Sequence, residues 1–332
     1  MFALAIAIDY SAGLPLIVCA GIAMYVASKA LADAMVSGRH ATPGRLAIGQ
    51  WLPIAILAIA ATLTGRGPLA MGLIFSTAIA CLSLATGAVA FMGVSNLSPA
   101  MRRSWAMLVP AALLAFLAGF RASVSLFNAG ILAIQGVCVL LLWHDASAPT
   151  SVLDPATPTG REPTFRAAQL LLGLLLAAVG SWFAMHGIDR VAAGSEFAST
   201  GLLTTTLLSP LLVLPIIGTG TELAQRNESA TAVSSQVGIA LLNICGLFPM
   251  VVVADAMQKM VAQRSISLNS LTGFPFPLAV WRVDVVMLIA LGLFLLPVAI
   301  GRWSISKLQG VGLMVGYALY LGLAIVIGVL RV

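Results

Sequence analysis

Apolar runs of about 20 residues, long enough to cross a bilayer, follow one another along almost the whole chain, parted by short polar stretches. The pattern predicts ten membrane-spanning helices, at 13–37, 44–64, 67–95, 102–120, 122–143, 165–193, 200–226, 229–257, 278–300 and 306–330. One connection, from His144 to Thr164, is polar and carries four prolines. It reads as a linker, 144–164, between two units of five spans each, 1–143 and 165–332. A second polar connection, Gln258 to Leu271, joins spans eight and nine.

The two units share a pattern. Leu52-Pro53-Ile54 is followed 23 residues after its proline by Ser76-Thr77-Ala78, and Leu214-Pro215-Ile216 is followed at the same distance by Gly238-Ile239-Ala240. The offset is 162 positions with no gap. The stretches Gly21–Gly38 and Gly180–Gly194 are likewise apolar and turn polar near their ends. A unit with an odd number of crossings sends its copy into the membrane the other way up, so the expected fold is all-α, two inverted five-helix repeats. Proline in corresponding spans removes a backbone donor and crowds the preceding turn, so Pro53 and Pro215 are expected to bend or break their helices. Paired broken helices in an inverted repeat point to the site of a secondary transporter.

Composition agrees. Of 332 residues 60% are hydrophobic and 8% charged, against about 25% charged in soluble domains. The net charge of +6 does not imply nucleic acid, because Lys and Arg cluster at span ends, where they anchor helices and set orientation. Their slight bias favours odd-numbered connections in the cytoplasm and both termini outside. Cys19, Cys81, Cys138 and Cys245 fall inside spans and read as small packing residues. The first span lacks the basic leader of a cleavable signal. No nucleotide loop, zinc pattern or Ser/His/Asp set is present, so neither an enzyme nor a bound cofactor is expected. Asn227-Glu228-Ser229 matches a glycosylation acceptor, a weak three-residue pattern.

These residues resemble the sodium/calcium exchanger family, the cation/calcium antiporters, in which each half carries G-T-S-L-P-E, an apolar run, then G-N-x-x-G-S-N. Here Gly49-Gln50-Trp51-Leu52-Pro53-Ile54 stands at the first pattern, with Gly72-Leu73-Ile74-Phe75-Ser76-Thr77-Ala78 after it and Gly87 closing the run. The second half offers Leu214-Pro215-Ile216, then Ser234-Ser235-Gln236-Val237-Gly238-Ile239-Ala240 and Asn243. The resemblance implies cation antiport at the interface of spans two, three, seven and eight.

The departures fall on the ligands. In the family a glutamate follows each proline; here Ile54 and Ile216 follow. Alanine, as Ala78 and Ala240, replaces the last polar residue of both runs. Calcium takes about six to eight oxygens, carboxylates among them, and stripping an ion of water without replacement costs on the order of tens of kcal/mol. The family's calcium site is therefore expected to be absent or drastically weakened. A rival register, Gly218-Thr219-Gly220-Thr221-Glu222, puts Glu222 in the place of one glutamate but loses the proline and needs about six residues deleted before Ser234.

An acid inside a span is by default a functional-site hypothesis, which makes Glu222 a candidate; the bland alternative is a helix-end pair with Arg226. Thr219, Thr221, Ser234, Ser235, Gln236 and Asn243 on spans seven and eight, with Ser76 and Thr77 on span three, are candidate ion or solute ligands. Such groups also bond to their own backbone or glue helices. The carbonyls freed by Pro53 and Pro215 are further candidates. Lys29 with Asp33, and His186 with Asp189 and Arg190, read as interfacial charge groups.

The expected protein is a multi-pass transporter in a lipid bilayer, with a bacterial inner membrane as the expected setting. Its expected cargo is a small cation (Na+, H+ or Ca2+), with calcium selectivity altered or lost. Two other readings stay open: a non-transporting scaffold or sensor, and a neutral-solute transporter with a cavity lined by Trp51 and the hydroxyl residues.

Overall fold

The computed structural model describes residues 2–35, 42–93, 99–120, 123–146, 163–194, 199–263, 273–277 and 281–329. Nine helices among them are long and apolar enough to cross a membrane. Span one is Phe2–Met35 and span two Pro43–Leu63. Span three is Gly67–Met92, span five Leu126–Ala146 and span six Pro163–Ala193. Span seven is Thr200–Gln225, span eight Ser229–Val261, span nine Arg282–Ala299 and span ten Lys307–Val329. The remaining predicted span, 102–120, is two helices, Pro99–Ala106 and Leu108–Gly119, parted at Met107. Pro110 has no N–H for the Ala106 carbonyl, which interrupts the ladder there. Gln135 of span five donates to the Met107 carbonyl at 3.1 Å, closing over the break.

The inversion is visible in the first spans of the two halves, which pack along their length. Gly173, Gly180 and Gly187 of span six, seven apart, meet Leu31, Met24 and Ile17 of span one in descending order, so the helices run antiparallel. Small residues let backbones approach where lipid gives helices no hydrophobic reason to associate. A methyl group added at Gly187 would lie 2.8 Å from Ile17 Cγ1 and 3.1 Å from the Gly13 carbonyl oxygen.

The 162-residue offset also holds in the backbone. Spans two and seven end at Leu63 and Gln225, and spans three and eight begin at Gly67 and Ser229. Between them Gly65 has φ 78° and Asn227 φ 62°, the same left-handed position in both turns. Asn is among the few residues besides Gly that visit this region, which gives Asn227 a structural reason to be there. A π-helical turn occupies Cys81–Ala85 in span three and Leu242–Leu247 in span eight, again one offset apart. Two more π turns lie at Thr204–Leu208 and Trp281–Val285.

Spans three and eight are the most enclosed. Phe75, Phe248 and Phe276 meet edge to face with centroids 5.4–5.7 Å apart, which pins the segment before span nine to the core. That segment also forms a two-residue antiparallel pairing, β1 (Ser123–Val124) with β2 (Phe274–Pro275). Apart from this bridge the described residues are helical or in turns. Most of the predicted linker 144–164 lies outside the described residues, as do 264–271 of the second polar connection. The start of that connection, Gln258 to Gln263, continues the helix of span eight.

Candidate functional site

Of the expected bends or breaks at Pro53 and Pro215, the breaks do not occur: helix runs through Pro43–Leu63 and Ser209–Gln225 without interruption. Each proline deletes one ladder bond, to the Gly49 or Leu211 carbonyl, while the bonds on either side hold the helix, a loss that protein-covered membrane helices tolerate. Gly49 packs directly against span one, where an added methyl would lie 2.7 Å from Ala32 Cα. The irregular backbone is instead in the π turns. Such turns are frequent at functional sites.

From span two across span eight to span three the structure assembles a line of neutral polar groups. Trp51 Nε1 donates to Asn243 Oδ1 at 3.1 Å, and Asn243 Nδ2 donates to Thr77 Oγ1 at 2.8 Å. The Thr77 hydroxyl donates in turn to the Leu73 carbonyl. Thr77 and Asn243 are fully buried, and Asn243 lies within the π turn of span eight. Beside them the Ser76 hydroxyl contacts that of Ser209 on span seven. Ile54 and Ile216, on spans two and seven, are 1% exposed, and Ala78 and Ala240 are wholly buried. Among the described residues no carboxylate is hydrogen-bonded to this line.

The line is asymmetric although the backbone is not. The offset carries Ser76 and Thr77 onto Gly238 and Ile239, and Asn243 onto Cys81. A serine side chain cannot stand at 238, because Trp143 of span five fills the place: a methyl on Gly238 would lie 2.6 Å from its Cζ2.

The other candidates do not join this line. Ser235 bonds to the Ala232 carbonyl, Thr219 to that of Pro215 and Thr221 to that of Gly218, all on their own helices. Ser234 Oγ and both polar atoms of Gln236 are buried without a protein partner. Gln236 packs on Gly220, where a methyl would lie 2.6 Å from its Nε2. Glu222 is corrected as an interior acid. It lies three residues before its helix ends, its side chain 58% exposed, with Lys29 Nζ at 3.9 Å. The turn and π-turn equivalences place it opposite Ala60, not Ile54, so the backbone follows the gap-free register. Asp189 accepts from Arg66 at 2.7 and 2.8 Å, tying span six to the turn after span two. His186 stacks on Trp182 and bonds to its carbonyl.

Sequence reasoning missed one acid. Asp284, in the π turn of span nine, is 5% exposed, and the Tyr320 hydroxyl of span ten donates to its Oδ1 at 2.8 Å. Asp284 is the only charged side chain buried among the described residues. In the sequence it lies inside the predicted span 278–300, two positions from Arg282, so the rule applied to Glu222 could have found it; only the fold brings it to Tyr320, 36 residues on. No group of three or more His, Cys, Asp or Glu able to hold a metal occurs among the described residues.

An all-α membrane protein of two inverted five-helix repeats, with its polar groups gathered where the proline helices meet spans three and eight, is the class this geometry defines. Within that class the chain has the fold of the cation/calcium exchangers. It is similar to the H+/Ca2+ exchanger CAX, with TM-score 0.77 and 14% identity over 98% of this chain and 92% of that one. It is also similar to the sodium-calcium exchanger NCX_Mj soaked with 10 mM Na+ and zero Ca2+, with TM-score 0.65 and 16% identity over 94% and 99%. The same exchanger soaked with zero Na+ and Ca2+ gives TM-score 0.63 and 16% identity over 93% and 98%. No family model and no curated protein sequence matches the chain.

Proposed function

We propose that the protein is a secondary transporter of the cation-antiporter kind whose central site no longer holds calcium. The observation that carries the reading is the Trp51–Asn243–Thr77 line, a set of neutral donors and acceptors, with Ile54, Ile216, Ala78 and Ala240 buried. The fold shared with exchangers of Na+, H+ and Ca2+ supports antiport. The ligands at this centre argue for a monovalent ion, since neutral oxygens alone do not offset the dehydration of a divalent one. We assign it to a bacterial inner membrane on its short connections.

Reconstitution in proteoliposomes tests this. Uptake driven by a Na+ or H+ gradient is the expected result, reduced in Asn243→Ala, with no saturable uptake of Ca2+. Saturable Ca2+ uptake overturns the reading. A centre this apolar also favours a scaffold without transport, which predicts no flux of any ion and a protein that copurifies. A neutral-solute transporter has less support. The cavity of about 580 Å³ between spans five and eight is apolar, lined by residues such as Gly130, Gly136, Leu242 and Met250, and does not include Trp51.

A further inference from the structure

We propose that Asp284 is the proton-binding group of this protein, set off the central axis and joined to the centre through packed segments of spans seven and ten. The inference rests on the antiporter reading above for its role in transport, but not for its chemistry. A carboxylate 95% removed from solvent, with one hydroxyl donor and no lysine or arginine pairing with it among the described residues, is an uncompensated charge. Burying such a charge is expensive, and the interior tolerates it only with a partner or a neutralising proton. The Tyr320 hydroxyl already occupies Oδ1, and among the described residues no cluster of further acids or histidines surrounds the site to cage a metal. A proton is the occupant that this arrangement accommodates.

The surroundings are bare of competing charge. The π turn carrying Asp284 packs against span three (67–80), the 108–119 helix, span ten and the remainder of span nine. Neither 67–80 nor 108–119 contains a titratable residue, and span nine beyond the π turn contains none. Span ten brings Tyr320 and Tyr317, their ring centroids 5.9 Å apart, with Tyr317 near Cys81 and its hydroxyl buried without a protein partner. On the π turn itself Arg282 is exposed.

A route leads from this group to the centre. Span ten, which carries Tyr320, packs against the π turn of span seven. Thr205 stands in the π turn of span seven, and four residues later on the same span Ser209 contacts Ser76, the neighbour of Thr77. Two hydrogen-bonded pairs, Asp284–Tyr320 and Ser209–Ser76, are thus connected by packed segments, the span-seven π turn with Thr205 lying against span ten one helical turn from Ser209. Protonation and ionisation of the carboxyl act on the proposed transport centre through these packed segments of spans seven and ten, without an acid among the central polar groups. The proton binds at a carboxylate oxygen and leaves from it; no other bond changes.

Infrared difference spectra of the full chain in lipid, recorded on changing pH, test the chemistry. The expected result is a protonated-carboxyl band that shifts in D2O, persists in Glu222→Gln and Asp189→Asn, and disappears in Asp284→Asn. Asparagine keeps an oxygen for Tyr320, and a thermal melt close to wild type confirms folding. In Tyr320→Phe the band should remain and titrate at a different pH. A band surviving in Asp284→Asn, or a carboxyl ionised at every pH and responsive to Na+ instead, overturns the proposal. In proteoliposomes Asp284→Asn should abolish pH-gradient-driven uptake while sparing exchange of the same cation across the membrane without a pH gradient; equal loss of both overturns its coupling role. If wild type carries no flux, the transporter reading falls, and the infrared result still decides whether Asp284 takes the proton.

Discussion

Asn243 and Thr77, 166 residues apart, share a 2.8 Å hydrogen bond in the wholly buried layer where the two halves meet. Each uses its remaining capacity on another helix or its own backbone, so the pair is a joint between repeats as well as a candidate ligand set. In Asn243→Leu the Trp51 N–H loses its acceptor. An unsatisfied buried polar group costs about 1–3 kcal/mol, and the melting temperature of the purified protein should fall accordingly. Thr77→Val removes the acceptor for Asn243 Nδ2 and the donor to the Leu73 carbonyl, and should also lower the melting temperature.

Calcium should leave the thermal stability of the wild-type protein unchanged, because a ligand stabilises a fold only by binding its native state. The double variant Ile54→Glu, Ile216→Glu should melt lower than wild type without calcium, from two buried acids, and rise on its addition. A melt insensitive to calcium in the double variant would show that the exchanger scaffold here cannot be re-equipped from those two positions.

Glu222→Gln should leave both stability and gradient-driven uptake unchanged. Its carboxylate is more than half exposed and 3.9 Å from Lys29, and exposed pairs contribute about 0–1 kcal/mol before screening by salt. A collapse of uptake in this variant would restore it to the mechanism and displace Asp284.

The turn at Gly65 should be intolerant of side chains. At φ 78° a β-branched residue is strained even where space is open, so Gly65→Val should cost about 1–2 kcal/mol. Asn227→Gly at the equivalent position should be neutral or mildly stabilising. Thermal or denaturant melts in detergent distinguish the two.

Gly187→Ala should destabilise by about 1–3 kcal/mol through overpacking against Ile17 and the Gly13 carbonyl. Gly201→Ala, where an added methyl meets nothing within 4 Å, serves as the control and should be silent.

Much of the architecture was legible because bilayers enforce it. Runs of apolar residues fix the spans, and the Leu-Pro-Ile pairs at 52 and 214 fix the offset that the Gly65 and Asn227 turns then obey. The break at Met107 was hidden because Pro110 sits in an otherwise unremarkable apolar run. The π turns were hidden because they add a residue per turn without changing composition. Proline misled in the other direction: at 53 and 215 it signals a lost hydrogen bond, which the surrounding protein absorbs. For the site, Thr77 and Asn243 stood out as polar residues in apolar spans, but nothing local separates them from Ser235 or Thr219, which merely cap their own carbonyls. Asp284 was overlooked although it falls inside the predicted ninth span, where an acid is a signal in itself. Its contact with Tyr320 has no local signature.

The three glycines of span six seat it directly on Leu31, Met24 and Ile17 of span one. The seam between the first helices of the two halves is set by what those positions lack, and a side chain at any of them displaces one repeat against the other.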